Sequence, residues 1–449
     1  MSLLRRLEGL KPGRWWLLLV SVALVARLAW VAALPTRRPV FDERQYIAHA
    51  TRLAEGKGYT DDAGRPTAYW PVGYPALLSV CCRATARDHD CGVLLQIVLG
   101  VAACVLVSLI GNRAFGPRIG RGAALLLALY PNQVFYSTLN LTEPLYTVLL
   151  LASTLLLLKS AERGVALNAP AGLALGLAAL VRPVICLFPL ALLCWYRRLG
   201  WPFSKALGRT VLAGTCMLIA VSPWLVRNHK VTGSWAVLST TGGHNLWIGN
   251  HPGALGGYYY PKAINEQLRN GDGYDFSRGY RLGLDAIAAT PLQAALRVFQ
   301  KVSYFFALET DGVLWNLKGL ARPAPTVVKL GLLGVVNAAY LFVLSFSVLG
   351  LMGTPRGQPL SSLFLVLTAY SVLITAVFIG DPRYHYALVP LAAVFSVKGV
   401  ADEFPSLRKG VQAADPHARR RLRLWCAVML VFLALMCVNL GLKALESRL

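Results

Sequence analysis

The sequence predicts an all-α polytopic membrane protein, a single bundle of about eleven transmembrane helices with interfacial helices in two long outer loops. Three observations predict it. Of 449 residues 56% are hydrophobic and only 15% charged, and the mean hydropathy is +0.52, too apolar for a chain solvated by water. Runs of about 20 apolar residues, the length that crosses a ~30 Å hydrocarbon core as a helix, recur from Trp15–Leu34 to Leu424–Lys443. The net charge of +24 is divided into short basic clusters between those runs. It forms no continuous basic face, which excludes a nucleic-acid partner, and it follows the enrichment of Lys and Arg in cytoplasmic loops.

Spans are expected at 15–34, 92–111, 120–138, 143–158, 168–182, 183–196, 210–226, 327–351, 361–379, 384–400 and 424–443. The first follows Arg5, Arg6, Lys11 and Arg14, is too long for a secretory signal and lacks its cleavage site, so it is read as an uncleaved span. It leads into a first outer loop, 35–90. There Gly73–Ala86 (GYPALLSVCCRATA) is apolar but short, the pattern of a helix lying at the interface. Cys82 and Cys91 can pair in an oxidising compartment, whereas the cysteines inside spans behave as small hydrophobes. Arg113, Arg118 and Arg121, then Lys159 and Arg163, then Arg197, Arg198, Lys205 and Arg209 mark cytoplasmic turns. Between the last two clusters the chain must cross and return, yet the halves on either side of Arg182-Pro183 are each only ~21 Å long at a rise of about 1.5 Å per residue. Two short helices or a re-entrant hairpin satisfy that parity. The second outer loop, 227–325, carries a Gly-, Asn- and Tyr-rich run from Gly242 (GGHNLWIGNHPGALGGYYYPK) that reads as turns. It also carries Pro291–Leu308, amphipathic with Arg297 and Lys301 interleaved, a second interfacial helix. Segment 401–449 holds the cytoplasmic basic run Arg419–Arg423 and the last span, and 1–449 is one integral membrane domain. No internal repeat stands out.

Polar groups able to do chemistry fall in the outer segments. Asp42-Glu43 is the sharpest of them, two adjacent carboxylates just past the first span, at head-group depth, where charge is costly unless used or hydrated. One can take a proton while the other orients a partner or binds a cation; the plain alternative is a solvated pair of loop acids. Glu143 precedes Pro144 at the mouth of a span, a position that helix capping alone explains and that also suits an acceptor or sugar. Arg182 and Arg383 are candidates for a phosphate, with snorkelling and an ordinary loop cation as the alternatives. His244, Asn245 and Asn250 can bind sugar hydroxyls, and Trp247 and Tyr258–Tyr260 can stack on a sugar or a prenyl chain, although loop packing explains each singly. Asp88-His89-Asp90 lacks the ligand count of a zinc site. No P-loop, dinucleotide-binding glycine pattern or H-E-x-x-H occurs.

Taken in order, Asp42-Glu43, Tyr46, TAYWPVGYP with Trp70 and Tyr74, NLTEPLY with Glu143, LVRP with Arg182, SPWLVRN with Arg227, STTGGHNLWIGN, and GDPRYHY with Arg383 and Tyr384 form a series. The series resembles the bacterial members of the GT-C class of polyprenyl-phosphate-sugar glycosyltransferases, which includes the protein O-mannosyltransferases and the aminoarabinose transferase that modifies lipid A. The resemblance runs from the first span to about Pro390, departs at Val72 inside the W-x-P-G-Y-P-like turn, and is most diagnostic from PWLVRN to NLWIGN. It implies a polyprenyl-phosphate sugar donor, a lipid, glycan or protein acceptor, and an inverting transfer at the periplasmic face of a bacterial inner membrane. It also implies Asp42 as the base with Glu43 in support, Arg383, Arg182, Tyr384 and Arg227 around the donor phosphate, and Glu143, Tyr74, Trp70, His244, Asn245 and Asn250 toward sugar or acceptor. No cofactor is required by that chemistry, and Mg or Mn at Asp42 and Glu43 is compatible with it. An envelope polysaccharide polymerase or ligase would concentrate its functional residues in late outer loops. A lipid or sugar transporter would show charges deep in several spans or broken helices repeated in two halves.

Overall fold

A computed structural model describes the chain except for residues 1, 86–87, 234, 236–237, 259–265, 267, 271–272, 275 and 447–449. Tyr259 and Tyr260 lie outside the described residues, as do the side chains of Asp88, His89 and Asp90. The chain begins with α1 (Ser2–Glu8) and the span α2 (Pro12–Ala33). Two short helices, α3 (Asp42–Ala54) and α4 (Gly73–Thr85), occupy the first outer loop before the long α5 (Asp88–Phe115).

The run expected as one span over 120–138 is instead α6 (Pro117–Ala128), α7 (Pro131–Phe135) and a 3-10 turn, Tyr136–Thr138. Pro131 supplies no N–H and holds Tyr130 extended (ψ 115°), so the helix cannot run through. The carbonyls freed at such a break need partners where water is scarce. Arg27, fully buried in α2, donates through Nη1 to the Ala128 carbonyl at 3.4 Å and through Nη2 to that of Gly100 at 3.2 Å. Next come α8 (Glu143–Arg163), α9 (Asn168–Val181) and α10 (Phe188–Arg198), the last two joined by a 3-10 turn at Pro183–Ile185. They are the two short helices expected on either side of Arg182-Pro183.

The span α11 (Phe203–Thr232) ends on Gly233, whose φ of 73° only glycine adopts readily. The run from Gly242 opens as α12 (Thr241–Asn250), not as turns, despite its three glycines. After it come α13 (Phe276–Ala289), α14 (Pro291–Phe305) and α15 (Asp311–Lys318). The remaining spans are α16 (Thr326–Met352) and α17 (Pro359–Val377); then a 3-10 turn, Pro382–His385, leads to α18 (Val389–Lys398), α19 (Phe404–Gln412) and the span α20 (Pro416–Glu446). A hairpin of Arg269–Asn270 and Gly273–Tyr274 holds the only strands among the described residues.

Seven of the described helices are long and apolar enough to cross a membrane, fewer than the eleven spans expected, because 120–138, 168–196 and 384–400 are built from shorter pieces. Small residues let backbones close on one another. A Cβ at Gly172 of α9 would stand 2.2 Å from the Ala213 carbonyl of α11. Leu17, Val25, Leu430 and Val431, exposed on α2 and α20, present the outward apolar surface that lipid covers. The ends of α2, α9 and α17 and the starts of α3 and α8 meet at one end of the bundle.

Candidate active site

Asp42 is the first residue of α3, and the residue before it, Phe41, has φ 49° and ψ −126°, a conformation that costs a side-chain-bearing residue on the order of 1–3 kcal/mol. That kink turns the Asp42 carboxylate into the bundle, where its Oδ2 accepts from Arg383 Nη1 at 3.2 Å. Arg383 is set by Asp381: the carboxylate accepts from its own turn's Arg383 N–H at 2.8 Å and from Arg383 Nε at 3.3 Å. The guanidinium also lies 4.9 Å from the Trp315 ring centroid. On its other side Arg383 Nη1 is 3.8 Å from Glu143 Oε1, which pairs with Arg182 Nη1 at 2.9 Å. Arg182 in turn lies over the Tyr384 ring at 5.4 Å, and the Tyr384 hydroxyl is 3.4 Å from that of Tyr258, which donates to Asn245 Oδ1 at 3.3 Å. A continuous row therefore runs Asp42, Arg383, Glu143, Arg182, Tyr384.

The charges are held out of water. Burial pushes the Asp42 carboxyl above its usual value, Arg383 opposes that, and Glu143 and Asp381 add to it. Asp311, beside a cavity of about 10 Å³ that it shares with Asn132, Glu309 and Arg383, is pushed up to about 6 by burial and by Asp381. Tyr46, one turn after Asp42, has its hydroxyl pushed well up by burial and by the Asp42 charge.

Glu43 points elsewhere. It is fully buried, pairs through both oxygens with Arg37, and accepts from the N–H groups of Val40 at 3.1 Å and Asn140 at 2.9 Å. Arg37 also donates to the Thr138 carbonyl at 2.8 Å, so the pair ties the end of α2 to the start of α3 and to the turn before α8. With both Glu43 oxygens engaged, the two acids do not converge on a shared point for Mg or Mn. Among the described residues no group of three His, Cys, Asp or Glu is placed to hold a metal.

The other candidates frame the row. Tyr74 is buried, donates to Asn140 Oδ1 at 3.1 Å and accepts from Gln96 at 2.9 Å. Trp70 meets Tyr46 edge-on at 5.4 Å, one layer from Asp42. Arg227 donates to the carbonyls of Tyr59, at 2.7 Å, and of Thr67, and packs on Trp224, so it holds the first outer loop and does not join Arg383. His244 Nδ1 is 2.6 Å from the Tyr69 hydroxyl, with burial pushing its pKa down to about 4. Asn250 accepts from the buried Lys301 Nζ at 2.8 Å and donates to the Val377 carbonyl at 3.1 Å, fastening α12 to the end of α17. Cys82 and Cys91 have their sulfurs 3.6 Å apart without a bond between them.

Asp381, Trp315 and Asp311 join the site without having been singled out as site residues in the sequence. Asp381 carried a signal, since Asp before Pro opens a turn whose free N–H groups the carboxylate accepts. Chemically, the row offers one exposed-edge carboxylate as a base and two guanidiniums as a phosphate seat.

Residues 71–226, less than half of the chain, match the family model described as dolichyl-phosphate-mannose-protein mannosyltransferase. The chain superposes on the archaeal oligosaccharyltransferase AglB from Archaeoglobus fulgidus, in complex with an inhibitory peptide and a dolichol-phosphate. The TM-score is 0.52 at 14% identity, covering 96% of this chain and 56% of that one. A complex of the Archaeoglobus fulgidus oligosaccharyltransferase with Zn and sulfate gives a TM-score of 0.53 at 14% identity, covering 96% and 53%. ArnT from Cupriavidus metallidurans bound to undecaprenyl phosphate gives 0.45 at 15% identity, covering 90% and 80%. The chain thus spans about half the length of the oligosaccharyltransferase chains it matches. No curated protein matches it significantly by sequence. The fold is that of the GT-C glycosyltransferases.

Proposed function

We propose that this GT-C chain is an inverting glycosyltransferase that moves a sugar from a polyprenyl-phosphate donor to a cell-envelope acceptor on the outer face of a bacterial inner membrane. The observation that carries the reading is the row from Asp42 through Arg383 and Glu143 to Arg182, a base and two phosphate-binding cations within one set of ion pairs. The basic clusters that flank the spans gather on the side away from this row, which supports its facing outward.

In this reading Asp42 takes the proton of the acceptor hydroxyl as its oxygen bonds to the anomeric carbon. The carbon–oxygen bond to the phosphate breaks on the opposite face, its electron pair goes to the phosphate, and the configuration inverts. Arg383 and Arg182 take up the charge that develops there. Glu143 Oε1 lies between the two guanidiniums, 2.9 Å from Arg182 and 3.8 Å from Arg383, and Tyr384 backs Arg182. The Zn present with the archaeal relative belongs to that protein, and no step here runs through a metal.

The test is Asp42→Asn, assayed in membranes for transfer or hydrolysis of a labelled polyprenyl-phosphate sugar. Loss of a general base should lower the rate by about 10²–10⁴-fold with the thermal midpoint of the purified protein kept. Near-normal turnover would overturn the assignment, and substrate counterflow without turnover would favour a transporter.

A further inference from the structure

Outside the row, the end of α2, the start of α16 and the segment between α15 and α16 enclose a groove of about 330 Å³. Trp30, Ala33, Leu34, Leu317, Leu320 and Leu332 line it, and Arg322 is the charged residue of the lining. A bridge between Arg37 and Leu320, with Arg38 N–H donating to the Gly319 carbonyl at 2.8 Å, draws the two chain segments together. Arg38, Lys318, Arg322 and Lys329, all exposed, stand on these segments. No Asp or Glu occurs from Gly9 to Phe41 or from Gly312 to Gly380, and among the described residues none of the four cations is placed in an ion pair with a carboxylate. On the outward topology proposed above, these cations flank two span ends on the side where Lys and Arg are depleted. An unbalanced cationic cluster kept there, above a slot of alkyl side chains, is complementary to an amphiphile with an anionic head and an apolar tail.

The place of the groove relative to the row selects the substrate. An inverting displacement needs the acceptor on the face of the anomeric carbon opposite the departing phosphate, so donor and acceptor require separate approaches. Arg182 and Tyr384 lie at one end of the row. Asp42 lies at the other, next to Phe41, whose ring packs on Trp315 at 5.1 Å with Lys318 Nζ 4.8 Å from its centroid. The groove is on the Asp42 side.

We infer that the groove between α2 and α16 holds the acyl chain of an anionic membrane lipid, whose headgroup rests on Arg38, Lys318 and Arg322 and presents to Asp42 the hydroxyl that receives the sugar. This rests on the glycosyltransferase reading and names its acceptor class. The new bond joins that hydroxyl oxygen to the anomeric carbon, its proton passes to Asp42, and the donor phosphate leaves with the electron pair.

The test uses the full chain in nanodiscs, without donor, and a phosphatidylglycerol carrying a diazirine in its tail, with the matching phosphatidylcholine as control. Labelling of peptides spanning 30–35 and 317–332 should exceed that by phosphatidylcholine about fivefold or more, and Lys318→Glu with Arg322→Glu should abolish the difference. Ala33→Trp, which fills the slot and leaves the charges, should lower labelling in a protein of unchanged thermal midpoint. Equal labelling by the two lipids would overturn the proposal, as would displacement of the probe by polyprenyl phosphate at concentrations that leave other peptides unaffected. Because no donor is present, this result is independent of the Asp42→Asn outcome. Failure here removes the acceptor class, and failure there removes the transferase.

Discussion

Asp42 and Glu43 are neighbours in sequence and diverge in space because both lie in the first turn of a helix, where successive side chains are about 100° apart. Treating them as one loop pair was natural: the residue before them is Phe41, not one of the Ser, Thr, Asp or Asn residues that announce a helix start. The divergence gives the two acids different expected phenotypes. Glu43→Gln breaks a buried pair and should cost about 3–5 kcal/mol of stability, read as a lowered thermal midpoint that Arg37→Met in the same chain partly restores. An unchanged midpoint would remove the structural role. Asp42 has a pH signature. A base works deprotonated and burial raises its pKa, so kcat/KM should fall with decreasing pH at values above the ordinary carboxylate range of about 4. A donor phosphate that draws Arg383 away removes the influence that lowers this pKa, so the acid limb of kcat should lie at higher pH than that of kcat/KM. Coincident limbs would show that Arg383 stays with Asp42 during turnover.

Among the elements, long apolar runs were legible because composition and length suffice to identify them, and the turn at Arg182-Pro183 was legible because proline punctuates a helix. The break at Tyr130-Pro131 carries the same punctuation, but an overall apolar run concealed it, and the partner that makes it tolerable, Arg27, is about a hundred residues away. The helix at Thr241–Asn250 was hidden by Gly242 and Gly243, whose propensity is outweighed by packing against α13. Gly279 and Gly283 of α13 lie against Gly243 and Leu246 there. Gly73 shows what the WPVGYP turn does mechanically: a Cβ there would stand 2.8 Å from the backbone of Leu180 and Val181, directly before Arg182. Gly73→Ala should therefore push the end of α9, cost about 1–3 kcal/mol and raise the KM for donor more than it lowers the midpoint predicts. Normal donor KM in a destabilised variant would separate the turn from Arg182.

Across the whole molecule, the apolar runs anticipated a helical membrane bundle, while seven of the described helices are long enough to cross on their own and the other expected spans are built from shorter helices that meet end to end. The proposed orientation can be checked by cysteine labelling against the parent chain. An impermeant maleimide applied to intact cells should react with Asp62→Cys, which is well exposed in the first outer loop, and not with Arg163→Cys, which is exposed at the end of α8 opposite Glu143. The reverse pattern would place the row in the cytoplasm. The row also has a history during synthesis. Asp42 is separated from Arg383 by 341 residues, whereas Glu143 meets Arg182 within two helices. As the chain leaves the ribosome, the Glu143 pair can close early, but Asp42 waits through the insertion of nearly every later helix. A chain ending before Arg383 thus lacks the guanidinium with which Asp42 pairs in the finished fold.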